Sequence, residues 1–271
     1  MAAPTVGLLH PGAMGVTIAA ACRAPVLWCS TGRSPATAER ASGAGLEDAG
    51  SLSELVARSD VIMSVCPPEA AIAVADAVAA ERFAGTYVDA NAISPETARA
   101  MATRFDRFVD GGIIGPPAAR PGTTRLYLAG DGAEDVRALW SGSVLDVRAV
   151  EGPAGAASAL KMAYATWTKV SAALLLDVRA LARVEGVELA LMEEWALSQP
   201  GTAERSEATA ASVAPKAWRF AGEMREIADT FAAAGLPGGF GTAAAELFER
   251  LAALKDAEDV GLERVLRQLL S

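Results

Sequence analysis

The sequence predicts an α/β domain with a doubly wound, largely parallel sheet, followed by an all-helical C-terminal domain. In the first half, short apolar runs alternate with alanine-rich stretches of helical character, which is typical of a parallel sheet covered by helices. After residue 153 there is no convincing strand, and long helical stretches are interrupted by glycine and proline. We therefore expect one domain over residues 1–152 and a second over residues 153–271.

Seven apolar runs predict strands at residues 6–9, 26–29, 61–65, 86–89, 108–110, 125–129 and 144–147. Alanine-rich segments predict helices at residues 14–22, 35–41 and 68–80. In the second half, residues of one long helix recur at alternating spacings of four and three, which predicts an apolar seam buried against other helices. The seam comprises Leu160, Tyr164, Trp167, Ser171, Leu174, Val178 and Leu181.

Composition excludes several classes of protein. Of the 271 residues, 52% are hydrophobic and 21% are charged, which indicates a globular protein. The net charge of −9 argues against nucleic-acid binding, which requires a basic face. The three cysteines lack metal-ligand spacing and His10 is the only histidine, so we expect no metal site.

The sequence contains neither an apolar run of about 20 residues nor a basic segment before its apolar N-terminus. We therefore expect no membrane span and no signal peptide. Sparse, unpaired cysteines suit a reducing compartment. These features together predict a cytoplasmic protein.

The first predicted strand runs directly into a glycine turn and an apolar helix. A match to the GxGxxG pattern between a strand and a helix indicates a dinucleotide site, because the glycines let the backbone approach a pyrophosphate and let the helix pack close to the strand. The free N–H groups at the helix N-terminus then bind the phosphates. His10 takes the place of the first glycine, and we expect it to pack beside the cofactor. The turn predicts a Rossmann-type dinucleotide site formed by His10, Pro11, Gly12, Ala13, Met14 and Gly15.

The tip of the second strand favours NADP(H) over NAD(H). An NAD site usually places Asp or Glu about 20 residues after the glycine turn, to bind the ribose 2′-hydroxyl. No carboxylate stands at this tip, whereas Arg33 can form a paired contact with a 2′-phosphate. Hydroxyl groups nearby can add to that contact. We predict that Ser30, Thr31, Arg33 and Ser34 bind this end of the cofactor.

These features resemble the β-hydroxyacid dehydrogenase and 6-phosphogluconate dehydrogenase superfamily. The Met-Gly of the turn, the segment 60–68 and the segment 88–95 are similar to motifs of that superfamily. The resemblance implies that Val65, Cys66 and Pro67 lie along the nicotinamide. In the segment 88–95, Asn91 stands at the position of a serine, and we expect it to help orient the substrate.

The most specific match is Gly155 followed six residues later by Lys161. In that superfamily the lysine is the catalytic acid/base, and the resemblance implies the same role for Lys161. Hydride transfer at a carbon requires proton movement at the attached oxygen or nitrogen, which a positioned lysine can carry. On a helix, Tyr164 shares a face with Lys161, and we expect it to orient the substrate.

Departures from the superfamily pattern leave the substrate open. Asparagines usually follow the lysine at positions where this chain has Tyr164 and Ala165, and Ile114 stands where a substrate-binding serine is usual. The leading prediction is an NADP(H)-dependent dehydrogenase or reductase acting on a small carbonyl or hydroxy compound, with Lys161 as acid/base. An imine reductase on the same fold and a non-catalytic NADP-binding regulator remain as alternatives.

The C-terminal segment 217–240 resembles a poorly characterised helical domain that is attached to dehydrogenases of this superfamily. Helical domains in this superfamily usually pair. The resemblance therefore implies a homodimer formed through residues 153–271, with a small molecule as the other partner.

Overall fold

The computed structural model describes residues 4–271 and confirms the predicted fold class, a mostly parallel sheet with helices followed by a helical region. The chain divides into two compact units, one that ends at Met162 and one that extends from Ala163 to Ser271. The predicted domain boundary after residue 152 lies just before the helix that contains Met162. That boundary stays a prediction.

The first unit is built on an eight-stranded sheet with the spatial order β3-β2-β1-β4-β5-β6-β7-β8. Within it, β6 and β7 are antiparallel, and the other neighbouring strands pair in parallel. The chain order reverses between β1 and β4, which is where ligands bind in open α/β sheets. The strands are β1 (Val6–Leu9), β2 (Val26–Trp28), β3 (Glu47–Asp48), β4 (Val61–Ser64), β5 (Thr86–Asp89), β6 (Phe108–Ile114), β7 (Arg125–Ala129) and β8 (Asp146–Ala149).

The core of this unit lies on both faces of the sheet. Successive residues of a strand point to opposite faces. Leu8 and Met63 accordingly belong to one buried cluster, and their neighbours Leu9 and Ile62 belong to another. Strands buried on both faces have continuous apolar runs rather than alternating ones, which is why these runs could be recognised from the sequence.

Helices of the first unit begin at residues that suit a helix N-terminus. The side chains of Ser34, Ser51 and Ser94 each accept a hydrogen bond from the backbone N–H three residues later, at 3.3, 3.2 and 3.1 Å. The helices are α1 (Ala13–Ala21), α2 (Pro35–Gly43), α3 (Leu52–Arg58), α4 (Ala71–Ala80), α5 (Pro95–Ala102) and α6 (Ala133–Ala138), with a 3-10 turn at Pro68–Ala70.

The strand predictions for residues 6–9, 86–89 and 125–129 are confirmed to the residue, and those for 26–29 and 61–65 are one residue too long. The last predicted strand is displaced: the Ser143 hydroxyl accepts a hydrogen bond from the Leu145 N–H, so a turn extends to Leu145 and pairing begins at Asp146. Strand β6 is longer than predicted, because Gly111 and Gly112 hide its apolar signal. The exposed two-residue strand β3 has no apolar signal.

The second unit contains helices, and the structure assigns no strand to the described chain from Ala163 onward. Helix α7 (Ala156–Ala165) reaches this unit from the first, and a π-helical turn at Thr166–Val170 leads into α8 (Ser171–Val184). The remaining helices are α9 (Glu188–Ser198), α10 (Thr202–Val213), α11 (Phe220–Ala233), α12 (Gly239–Arg250) and α13 (Leu262–Leu269), with 3-10 turns at Ala214–Arg219 and Ala252–Leu254. Among the described residues, no helix combines the length and the apolarity that a membrane crossing requires.

The prediction of a seam buried within the chain is wrong. Trp167 is 77% exposed, and Leu174 and Leu181 are each 61% exposed. Helix α8 instead buries the face that carries Ala173 and Leu176. The π-helical turn holds more residues per turn than an α-helix, so a regular spacing of four and three does not follow one face across it.

Candidate functional site

The glycine turn follows β1 at the carboxyl edge of the sheet and leads into α1, whose N-cap is Gly12. A Cβ atom on Gly15 would lie 2.9 Å from the backbone oxygen of His10 and 3.3 Å from Cβ of Val65. Only glycine therefore allows α1 to pack this close to the turn and to the segment after β4. A Cβ atom on Gly12 would meet no atom closer than 4.0 Å, which leaves that side of the residue open to a ligand.

His10 has a left-handed backbone conformation with φ of +66°, which suits glycine best. Its carbonyl accepts a hydrogen bond from the Gly12 N–H at 2.7 Å, which tightens the turn. Burial and the nearby Arg33 guanidinium lower the pKa of His10 to about 4, so the imidazole is neutral at physiological pH. Its Nδ1 atom is buried and makes no hydrogen bond to any described residue.

Arg33 lies after β2, and its Nε atom is buried without a hydrogen-bond partner among residues 4–271. The other predicted residues of this segment have local partners. The Thr31 hydroxyl donates to the Gly50 carbonyl at 2.6 Å, the Ser34 hydroxyl caps α2, and the Ser30 N–H donates to the Asp48 carboxylate at 3.2 Å. Arg33 is thus the member of this set with a buried donor left for a ligand.

Arg40, on α2, also reaches the glycine turn, and sequence reasoning missed it. Its Nε atom donates to the backbone oxygen of Pro11 at 3.4 Å, and its Nη2 atom donates to the Thr37 hydroxyl at 3.0 Å. Seven positions separate Arg40 from Arg33 along the chain, and only the return of α2 along the sheet brings its guanidinium back to the turn. An arginine on an amphipathic helix has no sequence signal that distinguishes this position from a solvated one.

Asn91 closes a buried network at the carboxyl ends of β4 and β5. Its Nδ2 atom donates to Asp89 at 2.6 Å and to the Ser64 hydroxyl at 3.1 Å. Its Oδ1 atom accepts from the Cys66 N–H at 2.5 Å, which holds the segment after β4. Asn91 is 3% exposed and its amide is fully engaged, so it positions this segment.

The segment predicted to lie along the nicotinamide extends from the end of β4 towards α4. Val65 and Cys66 are half-buried and Pro67 is exposed. Burial raises the pKa of the Cys66 thiol to about 11, which keeps it protonated. Val65 packs beside Gly15, so this segment borders the glycine turn.

Lys161 is placed by a buried carboxylate. Asp110, on β6, accepts hydrogen bonds at its Oδ2 atom from the N–H groups of Gly155 and Ser158, both at 2.9 Å, and at its Oδ1 atom from the Ser158 hydroxyl at 2.5 Å. These bonds satisfy free N–H groups at the start of α7. Ser158 precedes Lys161 by three residues, so the anchored turn directly supports the lysine.

Strand β6 brings this helix to the carboxyl edge of the sheet. The last residues of three strands pair with one another and with Asp110 of β6: Leu9 of β1, Ser64 of β4 and Asp89 of β5. Strand β6 continues past Asp110 and so extends beyond the ends of these three strands. A Cβ atom on Gly112 would lie 3.0 Å from Cβ of Lys161 and 2.8 Å from the Ala157 carbonyl. Glycine there lets α7 pack directly on the extension, which places Lys161 above the edge where the glycine turn lies.

Tyr164 lies at the beginning of the second unit and is 46% exposed. Its carbonyl accepts a hydrogen bond from the Thr168 hydroxyl at 3.1 Å. In that unit the Glu223 carboxylate pairs with Lys169 of the π-helical turn. Met224 and Ile227 are buried core residues, whereas Trp218 is partly exposed.

The first unit has the features that a dinucleotide requires. The open side of Gly12, the glycine contact at Gly15 and the two buried, unpartnered nitrogen atoms, His10 Nδ1 and Arg33 Nε, surround the carboxyl end of β1. The described part of the chain contains no group of three or more His, Cys, Asp or Glu side chains that could hold a metal ion.

Comparisons with known proteins agree with this fold. Residues 182–251 match a family described as a domain of unknown function, DUF1932. An uncharacterized 28.5 kDa protein of Methanothermus fervidus is 31% identical over 167 residues, which are 61% of this chain and 64% of that protein. The chain thus spans less than two thirds of that relative.

Solved structures cover nearly the whole chain. A conserved protein of unknown function, described as structurally similar to 3-hydroxyacid dehydrogenases, is 28% identical, with a TM-score of 0.72 over 92% of this chain and 97% of its own. The 3-hydroxyisobutyrate dehydrogenase of Mycobacterium tuberculosis is 20% identical, with a TM-score of 0.74 over 100% of both chains. An imine reductase from Myxococcus stipitatus, solved with NADP+, is 20% identical with a TM-score of 0.57, over 99% of this chain and 100% of its own.

The chain therefore has the fold of the 3-hydroxyacid dehydrogenases, and the predicted resemblance to the β-hydroxyacid dehydrogenase superfamily is confirmed. Its C-terminal helices carry the DUF1932 match.

Proposed function

We propose that this protein is an NADP(H)-dependent oxidoreductase that acts on a small carbonyl or hydroxy compound, with Lys161 as its acid/base. The observation that carries the proposal is the placement of Lys161. A buried carboxylate anchors its helix, and the lysine lies above the sheet edge that holds the glycine turn. A lysine beside a dinucleotide bound at the edge of the sheet can supply the proton that must accompany hydride transfer.

The cofactor would be held by the glycine turn, residues 10–15, with its phosphates at the N-terminus of α1. Arg33 would select the 2′-phosphate, while Ser30, Thr31 and Ser34 shape the loop around it. Val65, Cys66 and Pro67 would border the nicotinamide. The bound nicotinamide would supply or accept the hydride.

Lys161 would give a proton to the substrate oxygen during reduction and take it back during oxidation. Tyr164 would orient the substrate through its hydroxyl. For Asn91 we propose a positioning role in place of the expected substrate contact, because its amide already bonds Asp89, Ser64 and Cys66. It would keep the segment after β4 in place beside the cofactor.

The decisive experiment compares the parent protein with Lys161→Ala and Lys161→Arg. The parent should bind NADPH and oxidise it with a small ketoacid, whereas Lys161→Ala should bind NADPH with unchanged affinity and lose at least about 100-fold in kcat, the contribution expected of a general acid/base. Lys216→Ala, a lysine change in the second unit, is the matched control and should keep its activity. Full turnover by Lys161→Ala would refute the assignment.

The second candidate is reduction of an imine. One observation favours it: Ile114, at the position where the superfamily has a substrate-binding serine, is a buried apolar residue, and Asn91 has an amide where the superfamily has a second serine, so two hydroxyl groups that could bind a substrate carboxylate are missing. Panels of small ketoacids and of cyclic or secondary imines, each with NADPH, separate the two activities. A protein that binds NADPH and turns over neither panel, whatever residue stands at position 161, is instead a non-catalytic NADP-binding regulator.

We also propose that the protein works as a homodimer in the cytoplasm. The exposed apolar side chains of α8 support pairing of the second unit with its copy. The three unpaired cysteines suit a reducing compartment.

A further inference from the structure

The guanidinium of Arg40 bridges two segments of the first unit. Through Nε it contacts the Pro11 carbonyl of the glycine turn, and through Nη2 it contacts Thr37 in the first turn of α2. The Thr37 hydroxyl in turn lies 3.1 Å from the hydroxyl of Ser34. In a Rossmann site the adenosine ribose lies between the glycine turn and the end of the second strand. Arg40 therefore flanks the place where the ribose 2′-position would be.

The charge of Arg40 is not neutralised by a neighbour. Neither Arg40 nor Arg33 forms an ion pair with a carboxylate of the described chain, although the protein as a whole has a net charge of −9. The carboxylate of Asp48, on the neighbouring strand β3, already accepts hydrogen bonds from the N–H groups of Ser30 and Gly50. Two unpaired guanidinium groups beside one turn create a local positive field that attracts an anion.

We propose that Arg40 and Arg33 together bind the 2′-phosphate of NADP(H), so that cofactor selectivity depends on both. This inference rests on the proposed function and adds a residue to it. A phosphate dianion has more acceptor sites than one guanidinium can fill, and arginine binds phosphate through paired hydrogen bonds. The Nη1 atom of Arg40 makes no hydrogen bond within the described residues, and it provides a donor for the phosphate without loss of the contact to Pro11.

The alternative is that Arg40 has a purely structural role. If Arg40 only braced the glycine turn through Pro11, its loss would disturb the pyrophosphate site, which NADP+ and NAD+ share. The two roles therefore predict different patterns: a phosphate ligand affects only cofactors that carry the 2′-phosphate, whereas a brace affects both kinds equally.

The test measures dissociation constants by calorimetry for NADP+, NAD+, adenosine 2′,5′-bisphosphate and AMP. The last two probes differ only in the 2′-phosphate. Removing a hydrogen bond to a charged group costs about 1.5–3 kcal/mol, or roughly a 10- to 100-fold loss of affinity. Arg40→Ala should weaken NADP+ and the bisphosphate by at least about tenfold and change NAD+ and AMP by less than about twofold. Arg33→Ala should show the same selectivity, and Arg40→Lys should restore part of the loss.

Arg137→Ala is the matched control, because Arg137 lies on α6, which packs on β7 and β8 at the other end of the sheet. It should leave all four constants unchanged. An equal loss for NADP+ and NAD+, or no loss at all, in a folded Arg40→Ala protein overturns the inference and leaves the proposed oxidoreductase intact. A parent that prefers NAD+ overturns the inference together with the proposed NADP(H) preference, and leaves the proposed oxidoreductase chemistry intact. A parent that binds neither dinucleotide overturns the proposed function and the inference with it.

Discussion

At the scale of single residues, Asp89 makes the stability of the folded protein depend on pH. Its carboxylate is fully buried at the end of β5 and accepts hydrogen bonds from the backbone N–H and the Nδ2 atom of Asn91, at 3.0 and 2.6 Å. Burial, with a smaller contribution from the Asp110 carboxylate, raises the pKa of Asp89 to about 7. The two hydrogen bonds favour the ionised form but do not offset the desolvation.

The raised pKa predicts a specific pH dependence of stability. In the unfolded chain an aspartate titrates near pH 4. The folded state therefore binds the extra proton more tightly, and the stabilisation that this provides is present below about pH 4 and is lost as the pH rises to about 7. In urea unfolding between pH 5 and pH 8, the free energy of unfolding of Asp89→Asn should rise relative to that of the parent as the pH increases. One pKa unit corresponds to about 1.4 kcal/mol, so the total gain should be a few kcal/mol.

Asp48→Asn provides the control for that measurement. Burial raises the pKa of Asp48, but the hydrogen bonds from Ser30 and Gly50 together outweigh burial and lower that pKa, so Asp48 is ionised in both states between pH 5 and pH 8. Its stability difference from the parent should therefore be flat over this range. A flat difference for Asp89→Asn as well would show that Asp89 is not protonated in the folded protein.

At the scale of elements, the start of α7 depends on one carboxylate. Asp110 accepts three hydrogen bonds from Gly155 and Ser158 and is inaccessible to solvent. Burial raises its pKa, while these hydrogen bonds oppose the shift. Since Lys161 follows on the next turn of the same helix, the geometry of the proposed acid/base is set by a strand residue more than 40 positions earlier in the chain.

Two substitutions test this anchor. Ser158→Ala removes one hydrogen bond to a carboxylate and should lower the free energy of unfolding by about 1.5–3 kcal/mol. Asp110→Ala leaves several buried donors without a partner and should cost more, about 3 kcal/mol or above. In the active protein, Ser158→Ala should also lower kcat with little change in the affinity for NADPH, because it displaces Lys161 and leaves the glycine turn intact.

Ser141→Ala, at an exposed position of the same unit, is the control and should stay within about 0.5 kcal/mol of the parent in urea unfolding. If Asp110→Ala unfolds at the same urea concentration as this control, the carboxylate does not hold the helix.

At the scale of the whole molecule, the proposed homodimer rests on exposed apolar side chains of the second unit. Trp167, Leu174 and Leu181 are large apolar residues left in contact with water along the π-helical turn and α8. A monomeric protein seldom leaves such a row uncovered, because burial of apolar surface stabilises association by about 25 cal/mol per Å². This is the physical basis for the proposed homodimer.

Leu174→Glu and Leu181→Glu should convert the proposed dimer into a monomer, since each places a charge in the apolar surface. Size-exclusion chromatography with light scattering gives the mass directly. Ser212→Glu, on the exposed side of α10, adds the same charge outside this row and should leave the mass unchanged. A parent protein that has the mass of one chain at every accessible concentration would contradict the dimer.

Much of the fold could be predicted from the sequence because its signals are local. Strands buried on both faces have apolar runs, and β1, β5 and β7 were predicted to the residue for that reason. The signal fails where glycines interrupt a strand, as in β6, and where a strand has two exposed charged residues, as in β3. The alternating spacing of four and three also failed to identify a buried face of the long helix, because the spacing of apolar residues does not show where a helix contains a π-helical turn.

Some residues of the candidate site could likewise be found from the sequence, whereas others could be found only from the structure. The glycine turn and Arg33 stand beside predicted strands, so adjacency in the chain was enough to find them. Arg40 was missed because its relation to Pro11 exists only once α2 has packed beside the turn. Asn91 was found by its motif, but its burial in a network with Asp89, Ser64 and Cys66 could not be predicted.

The sequence alone therefore determined the α/β and helical organisation, the glycine turn, and the choice of Lys161 as the residue to test. Those conclusions depend on apolar periodicity, on turn chemistry and on a resemblance carried by short motifs, all of which lie within a few residues of each other. Only the tertiary structure decided which side chains are anchored, which are exposed and which distant residues meet. Burial and hydrogen bonding depend on contacts between strands and helices that are far apart in the chain, and the spacing of residues along a sequence does not contain that information.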